Sequence, residues 1–431
     1  MKALYLIKKS KQLKIIKMKH SISNDQKNGT QYLDIPSNNN KTINNKHMIT
    51  NFKTLAVLLC MIGFMSCNAN DKKDKKQLAL IETKAPHPNK QSIKVALLLD
   101  TSNSMDGLID QAKAQLWDIV NELSYAKCGD EQPNLNIALY EYGNDNINAE
   151  EGYIRQVIAF SDDLDEISKQ LFSLTTNGGN EYCGQVIQTS LNQLQWGENQ
   201  DDLKLIFIAG NEPFSQGKIS YQDAAKQAHN NGVSVNTIFC GDYNQGISSF
   251  WKEGADLAHG DYMAINHNHE TTYVATPYDD KILKLNQKLN GTYVAYGNNG
   301  RKKMELQAEQ DDNAQGYSDE NAVSRTVSKS SHLYKNSSWD LVDAEKDKSF
   351  KYSELKETEL PVELKDKSTK EIKTYILKKR KERESIKTEI QNLNEKRRQF
   401  MKTQQKQDDN GLENAMIKAI KTQAKEKNYS W

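Results

Sequence analysis

Residues 93–104 read Ile-Lys-Val-Ala-Leu-Leu-Leu-Asp-Thr-Ser-Asn-Ser. Five consecutive apolar residues, 95–99, describe a strand covered on both faces, the environment found at the centre of a parallel sheet. Asp100, Ser102 and Ser104 then fall at its carboxyl end, where wound sheets collect ligand chemistry. One carboxylate and two hydroxyls in such a turn suit a hard cation. The same residue types are also ordinary turn formers that hydrogen-bond their own backbone.

The following 200 residues alternate between two periods. Further strands are expected over 135–143, 203–209, 233–240 and 261–266, with an antiparallel edge over 153–160. Helices are expected over 106–126, 163–174, 183–196, 220–230, 247–258 and 278–290. Such alternation implies an α/β fold, a doubly wound, mostly parallel, Rossmann-like sheet with right-handed crossovers, over residues 92–298. A chain of 431 residues accommodates one such core plus accessory segments.

Beyond residue 298 the character changes. Residues 299–368 are rich in Ser, Asp, Lys and Asn and read as a polar linker, with a small packed turn over 336–351 around Trp339, Leu341 and Phe350. Residues 369–431 read as a charged helical region. Its first helix, 370–401, lacks Gly and Pro. Ile372, Ile376, Ile386, Ile390, Leu393 and Phe400 form a narrow stripe on it, interrupted by Lys379, Glu382, Arg383 and Arg397. A second amphipathic helix over 412–424 carries Met416, Ile417 and Ile420. Three readings stay open: pairing with a partner helix as a coiled coil, folding back as a hairpin, or a solvated charged helix.

The N-terminal part reads differently again. Residues 55–65 are apolar, follow Lys53, are too short to span a bilayer and have the layout of a secretory signal. The signal, 48–66, ends at Phe-Met-Ser-Cys, which resembles a bacterial lipobox, so Cys67 is the expected acylated residue. A polar tether, 67–91, follows. Residues 1–47 precede the signal; translation from Met48 explains them most simply, and a longer leader is the alternative. Eleven lysines and two aspartates lie in residues 1–66, which leaves the rest net acidic by eight charges. Nucleic acid is therefore not an expected partner.

Cys128, Cys183 and Cys240 remain for the folded part. Outside the cytoplasm they permit one disulfide. The order of elements favours Cys183 with Cys240; the alternative is three buried thiols. No Cys-x-x-Cys or paired-His spacing suggests zinc.

Asp-x-Ser-x-Ser after a buried strand resembles the first element of the metal-ion-dependent adhesion site of von Willebrand factor A domains. Residues 235–241 and 254–263 resemble that family's late strand and its helix-Gly-strand signature, and the resemblance covers about residues 92–290. It implies three loops converging on Mg2+ or Ca2+. In the second loop, Gly178-Gly179 is followed by Asn180 where the family usually has Thr; an amide oxygen is also a hard ligand. In the third, the family's Thr-Asp-Gly is replaced by Ala209-Gly210-Asn211, so Gly210 stands at the acidic position. The resemblance thus implies a degenerate site of Asp100, Ser102, Ser104 and Asn180, with a vestigial rim as the alternative.

Catalysis is not expected. Ser102 lacks a Gly-x-Ser-x-Gly elbow, and Asn177–Asn180 is not followed by Gly-Lys-Ser/Thr. His267, His269 and Glu270 lack a third metal ligand at defined spacing. The expected function is a cell-envelope binding or adhesion protein, lipid-anchored to the outer membrane and facing periplasm or exterior, that recognises a protein partner through the sheet's carboxyl rim with cation assistance. The alternative is a structural envelope component acting through its C-terminal helices above an inert rim.

Overall fold

The computed structural model describes residues 90–268, 275–404 and 411–431. The signal, Cys67 and nearly all of the tether lie outside the described residues, as do His269 and Glu270. In chain order the elements are β1 (Ser92–Asp100), α1 (Asp106–Leu123), β2 (Lys127–Cys128), β3 (Asn134–Tyr142), β4 (Ile154–Ser161), α2 (Leu164–Phe172), α3 (Cys183–Gln193), β5 (Leu203–Gly210), α4 (Tyr221–Asn230), β6 (Ser234–Cys240), α5 (Tyr243–Ser248), α6 (Trp251–Leu257), β7 (Tyr262–Ile265) and α7 (Asp279–Asn290). Then come α8 (Gly300–Tyr317), α9 (Asp319–Ser330), α10 (Leu341–Ala344), α11 (Thr369–Gln404), α12 (Leu412–Glu426) and β8 (Tyr429–Ser430).

Six strands form one sheet in the order β4-β3-β1-β5-β6-β7. Only the β3–β4 pairing is antiparallel, as expected for the edge; the others are parallel. β1 sits between β3 and β5, and its period-2 alternation divides its side chains. Ile93, Val95 and Leu99 enter the core on one face, while Ala96 and Leu98 enter the core on the other.

One expected helix is two. Residues 247–258 break at Phe250, whose φ of 71° is left-handed, so α5 and α6 are separate. The Cys183–Cys240 disulfide does not form; all three described cysteines are free. Cys183 packs in the core on one face of the sheet and Cys240 in the core on the other, so the sheet separates them.

The largest departure follows residue 298. Residues 299–368 are not a solvated linker, and 298 is not a packing boundary: the described residues belong to one compact unit. α9 is buried at every position from Asn321 to Ser330. It packs on α1, which is therefore covered by the sheet on one side and by α9 and α12 on the other. α1 is buried almost all round, including Gln111 and Gln115. These two amides accept hydrogen bonds from the backbone N–H groups of Leu412 (3.2 Å) and Glu413 (2.7 Å), which satisfies orphan donors at the start of α12. α9 carries few aliphatic residues, so its burial leaves no apolar period in the sequence. Its small polar side chains are matched instead: Ser328 Oγ donates to Asn121 Oδ1 (2.7 Å), and Asn121 Nδ2 donates to the Ser324 carbonyl (2.9 Å).

Charge holds this second layer in register. Arg325 is 1% exposed, lies 4.8 Å over the Trp117 ring, and pairs with Asp165 of α2 (2.9 Å) and Asp311 of α8 (2.6 Å). Lys329, fully buried, contacts Asp311 at 2.8 Å and Asn286 of α7 at 2.9 Å. Tyr334 donates to Asp165 at 2.6 Å. Two acids face two bases, so the buried cluster is neutral. Burial alone would raise the Asp311 carboxyl, but Arg325 and Lys329 hold it well below the usual range.

The helical stripe also folds back on the chain itself. Ile372, Ile376, Ile386, Ile390 and Leu393 of α11 are buried, as are Met416 and Ile420 of α12. Two residues that interrupt the stripe in sequence are anchors in space. Arg383 forks onto Asp340 (2.6 and 3.1 Å) and lies 4.1 Å over Tyr293, and Arg397 reaches Asp279 at 3.1 Å. The packed turn near 336–351 exists, but it is shared: Trp339 joins the sheet's core, whereas Leu341 joins a smaller cluster with Ile372 and Ile376.

Removing one partner from such a cluster strands a buried charge, at a cost of about 3–5 kcal/mol. Arg325→Ala is expected to lower unfolding stability by about that amount in urea titrations followed by circular dichroism, and a change under about 1 kcal/mol would count against the role given to the cluster.

Candidate functional site

The carboxyl ends of β1, β3 and β5 meet at one rim. Register places Asp100 beside Tyr142, and the neighbouring end of β5 is Gly210. Because β1 is hydrogen-bonded on both sides, its last residue is pulled inside: Asp100 is fully buried. Its Oδ1 accepts from the Ser102 N–H at 2.7 Å, the turn bond expected of such a sequence. Ser102 Oγ and Ser104 Oγ lie 3.3 Å apart. Ser102 is buried while Asn103 and Ser104 are exposed, so the rim is open to solvent.

The second loop is stitched to the first by backbone. Asn177 N–H donates to the Thr101 carbonyl (3.0 Å), and Thr101 N–H donates to the Tyr142 carbonyl (2.9 Å). Asn144 Nδ2 donates to the Thr175 carbonyl at 2.9 Å. Gly179 is needed for this approach, since a Cβ there would lie 2.4 Å from the Gly143 carbonyl oxygen.

The structure brings Asp100, Ser102 and Ser104 together, but not Asn180. Asn180 is exposed, and the adjacent Glu181 is buried beside Asp100 instead. The correction is one residue in sequence and a full carboxylate in chemistry. The turn after Gly178-Gly179 decides which of two neighbouring side chains faces inward, and no local pattern reports that choice. The one available signal was indirect: an acid missing at Gly210 and an unassigned acid at 181.

The third loop does contribute. Asn211 Nδ2 donates to Ser104 Oγ at 3.2 Å, while Glu212 is exposed at the rim. Gly210 itself has no room for a side chain; a Cβ would lie 2.5 Å from the Tyr142 hydroxyl and 3.1 Å from Asp100 Oδ2.

The electrostatics are those of two acids confined together. Burial raises the Asp100 carboxyl, and burial together with the neighbouring Asp100 charge raises Glu181 well above the ordinary carboxylate range. Asp100 Oδ2 is buried without a hydrogen-bond partner. Such an arrangement calls for a proton or a cation. Two carboxylates, two hydroxyls and an amide are hard oxygen donors, and they fit Mg2+ or Ca2+. The donor set depends on the hydroxyls, because among the described residues no group of three or more His, Cys, Asp or Glu side chains is arranged to hold a metal.

His267 stands apart from this set. Burial pushes its imidazole down, and Asn268 Nδ2 lies 3.2 Å from its Nε2.

Gly179→Ala is expected to displace the 175–182 loop and lower stability by about 1–3 kcal/mol. Thermal melts of the purified variant measure this, and an unchanged melting temperature would contradict the close approach.

Residues 94–253 match the family model of the von Willebrand factor type A domain. Comparison with curated proteins finds no match. Among solved structures the chain is similar to the conserved hypothetical protein BatB from Bacteroides thetaiotaomicron, at 16% identity and a TM-score of 0.31, covering 40% of this chain and 90% of that one. It is similar to the vWF domain of the type V pili tip protein Mfa5 from Porphyromonas gingivalis, at 13% identity and a TM-score of 0.31, covering 41% and 90%. It is also similar to the pilus adhesin SpaC from Lactobacillus rhamnosus GG, at 13% identity and a TM-score of 0.30, covering 41% and 28%. Likenesses of this strength carry no functional argument.

Proposed function

We propose that this chain is a lipid-anchored cell-envelope protein that binds a protein partner through the carboxyl rim of its von Willebrand factor A domain. The observation that carries the reading is the buried Asp100 with an unpartnered oxygen, set behind Ser102 and Ser104 at an open rim. Asp100, Ser102, Ser104 and Glu181 would hold a divalent cation there, and such a cation supplies an electrophilic point for a partner's carboxylate. The protein's own part is to fix the donors. β1 and β3 lock Asp100, the Ser102 N–H orients its carboxylate, and Asn211 positions the Ser104 hydroxyl. No catalytic step belongs to this reading.

Two further points support the rim over the C-terminal helices as the binding surface. The apolar stripes of α11 and α12 are used within the chain, which leaves them little to offer another protein. The exposed residues Asn103, Ser104, Asn180 and Glu212, in contrast, surround the site with polar groups free to meet a partner. Anchoring at Cys67, in an outer membrane and facing periplasm or exterior, is the localisation proposed from the lipobox-like sequence.

Calorimetric titration of Mg2+ and Ca2+ into the chain is expected to give one saturable site that Asp100→Ala abolishes. Absence of any cation-dependent heat, or binding indifferent to Asp100→Ala, would remove the cation-assisted reading. Anchoring is tested separately: metabolic labelling with an alkyne fatty acid in a bacterial host is expected to mark the wild type in the membrane fraction and not Cys67→Ser. Unlabelled wild type overturns it.

A further inference from the structure

We propose that Glu181 supplies the second carboxylate of the cation site, in place of an acid on the third loop, whose position is taken by the Tyr142 hydroxyl. This rests on the reading of the rim as a cation site and says which residues make it one. Two pairs of substitutions in space carry the argument. At the end of β5, Gly210 leaves the volume that Tyr142 fills: its hydroxyl donates to the Ala209 carbonyl at 3.0 Å and is buried. A side chain at 210 would collide with that hydroxyl and approach Asp100 Oδ2. At the end of β3, Gly143 has a left-handed φ of 76°, and a Cβ there would lie 2.7 Å from Glu181 Cγ and 2.9 Å from Asp100 Oδ1. The missing side chain at 143 is therefore the opening through which Glu181 reaches Asp100. The residue types at 142, 143, 181 and 210 are mutually dependent.

Glu181 is also held in place. Its N–H donates to Gln216 Oε1 at 3.2 Å, and Gln216 Nε2 donates to Glu212 Oε2 at 3.2 Å, which ties the second loop to the third. The independent sign of a ligand is Asp100 Oδ2, on a fully buried residue and without a partner. A second acid brought against a buried carboxylate is unfavourable unless a shared proton or a cation joins them, and the hydroxyls of Ser102 and Ser104 beside the pair supply the further hard oxygen donors that a cation needs. Relocating the acid keeps the site's formal charge at two carboxylates, so the rim is a complete divalent site with a changed donor order, not a vestige.

The test is calorimetric titration of Mg2+ and Ca2+ into the full chain and its variants, with thermal melts in cation-free buffer. Glu181→Gln is expected to weaken binding at least tenfold and to raise the melting temperature without cation, because one of two facing acids is neutralised. Asn180→Ala is expected to bind within about twofold of wild type. In the Glu181→Gln background, Tyr142→Phe with Gly210→Asp is expected to recover part of the affinity. If Glu181→Gln does not fold, Glu181→Ala takes its place. Wild type that binds no cation sinks the rim reading as a whole. Wild type that binds, with a Glu181 variant of equal affinity or an Asn180→Ala variant that loses binding, overturns this assignment alone.

Discussion

β1 carries parallel hydrogen bonds along both edges, to β3 and to β5, and apolar cover on both faces. That double constraint sets where the chain's chemistry lies. A strand held on four sides cannot slide or twist its last residue away, so Asp100 is delivered into the interior although its carboxylate prefers water. The adjoining loops then surround the buried acid with a backbone N–H from Ser102, the hydroxyls of Ser102 and Ser104, and the carboxyl of Glu181. The site is a consequence of the sheet's centre, not an addition to its edge.

The same sheet explains the C-terminal half. A doubly wound domain ordinarily leaves the outer face of its helices to solvent. Here α1 is apolar or amide-bearing on both sides, and α9 and α12 close over it. The layer is built largely from polar residues, which costs desolvation unless each one is matched. The charged groups are matched: Arg325 with Asp165 and Asp311, Lys329 with Asp311 and Asn286, Arg383 with Asp340. Buried pairs of this sort add little net stability against a well-packed apolar alternative, yet they penalise misplaced partners heavily. They give the extension one docked arrangement, and they spend on its own domain the apolar stripes a partner helix would need.

Some of this was legible in the residues. Strong apolar runs at 95–99 and 203–209, helical spacing in α1 and the antiparallel edge were readable because burial on a sheet leaves a local period. Asp100, Ser102 and Ser104 were readable because one turn contains all three. The packing of α9 was not, because Ser, Thr and Asn on a helix look the same whether water or Asn121 satisfies them. Nor was the role of Arg383 and Arg397, whose partners lie 43 and 118 residues away.

From its order of residues alone, the chain determined its α/β class, the strand at its centre and the turn at that strand's end, since each depends on neighbours within a dozen positions. Tertiary structure decided that Glu181 and not Asn180 faces Asp100, that Tyr142 occupies the space Gly210 leaves, that Cys183 and Cys240 lie on opposite sides of a sheet, and that a polar segment is interior. Those outcomes depend on which distant surfaces meet, and a carboxylate or thiol carries no local mark of what it will face.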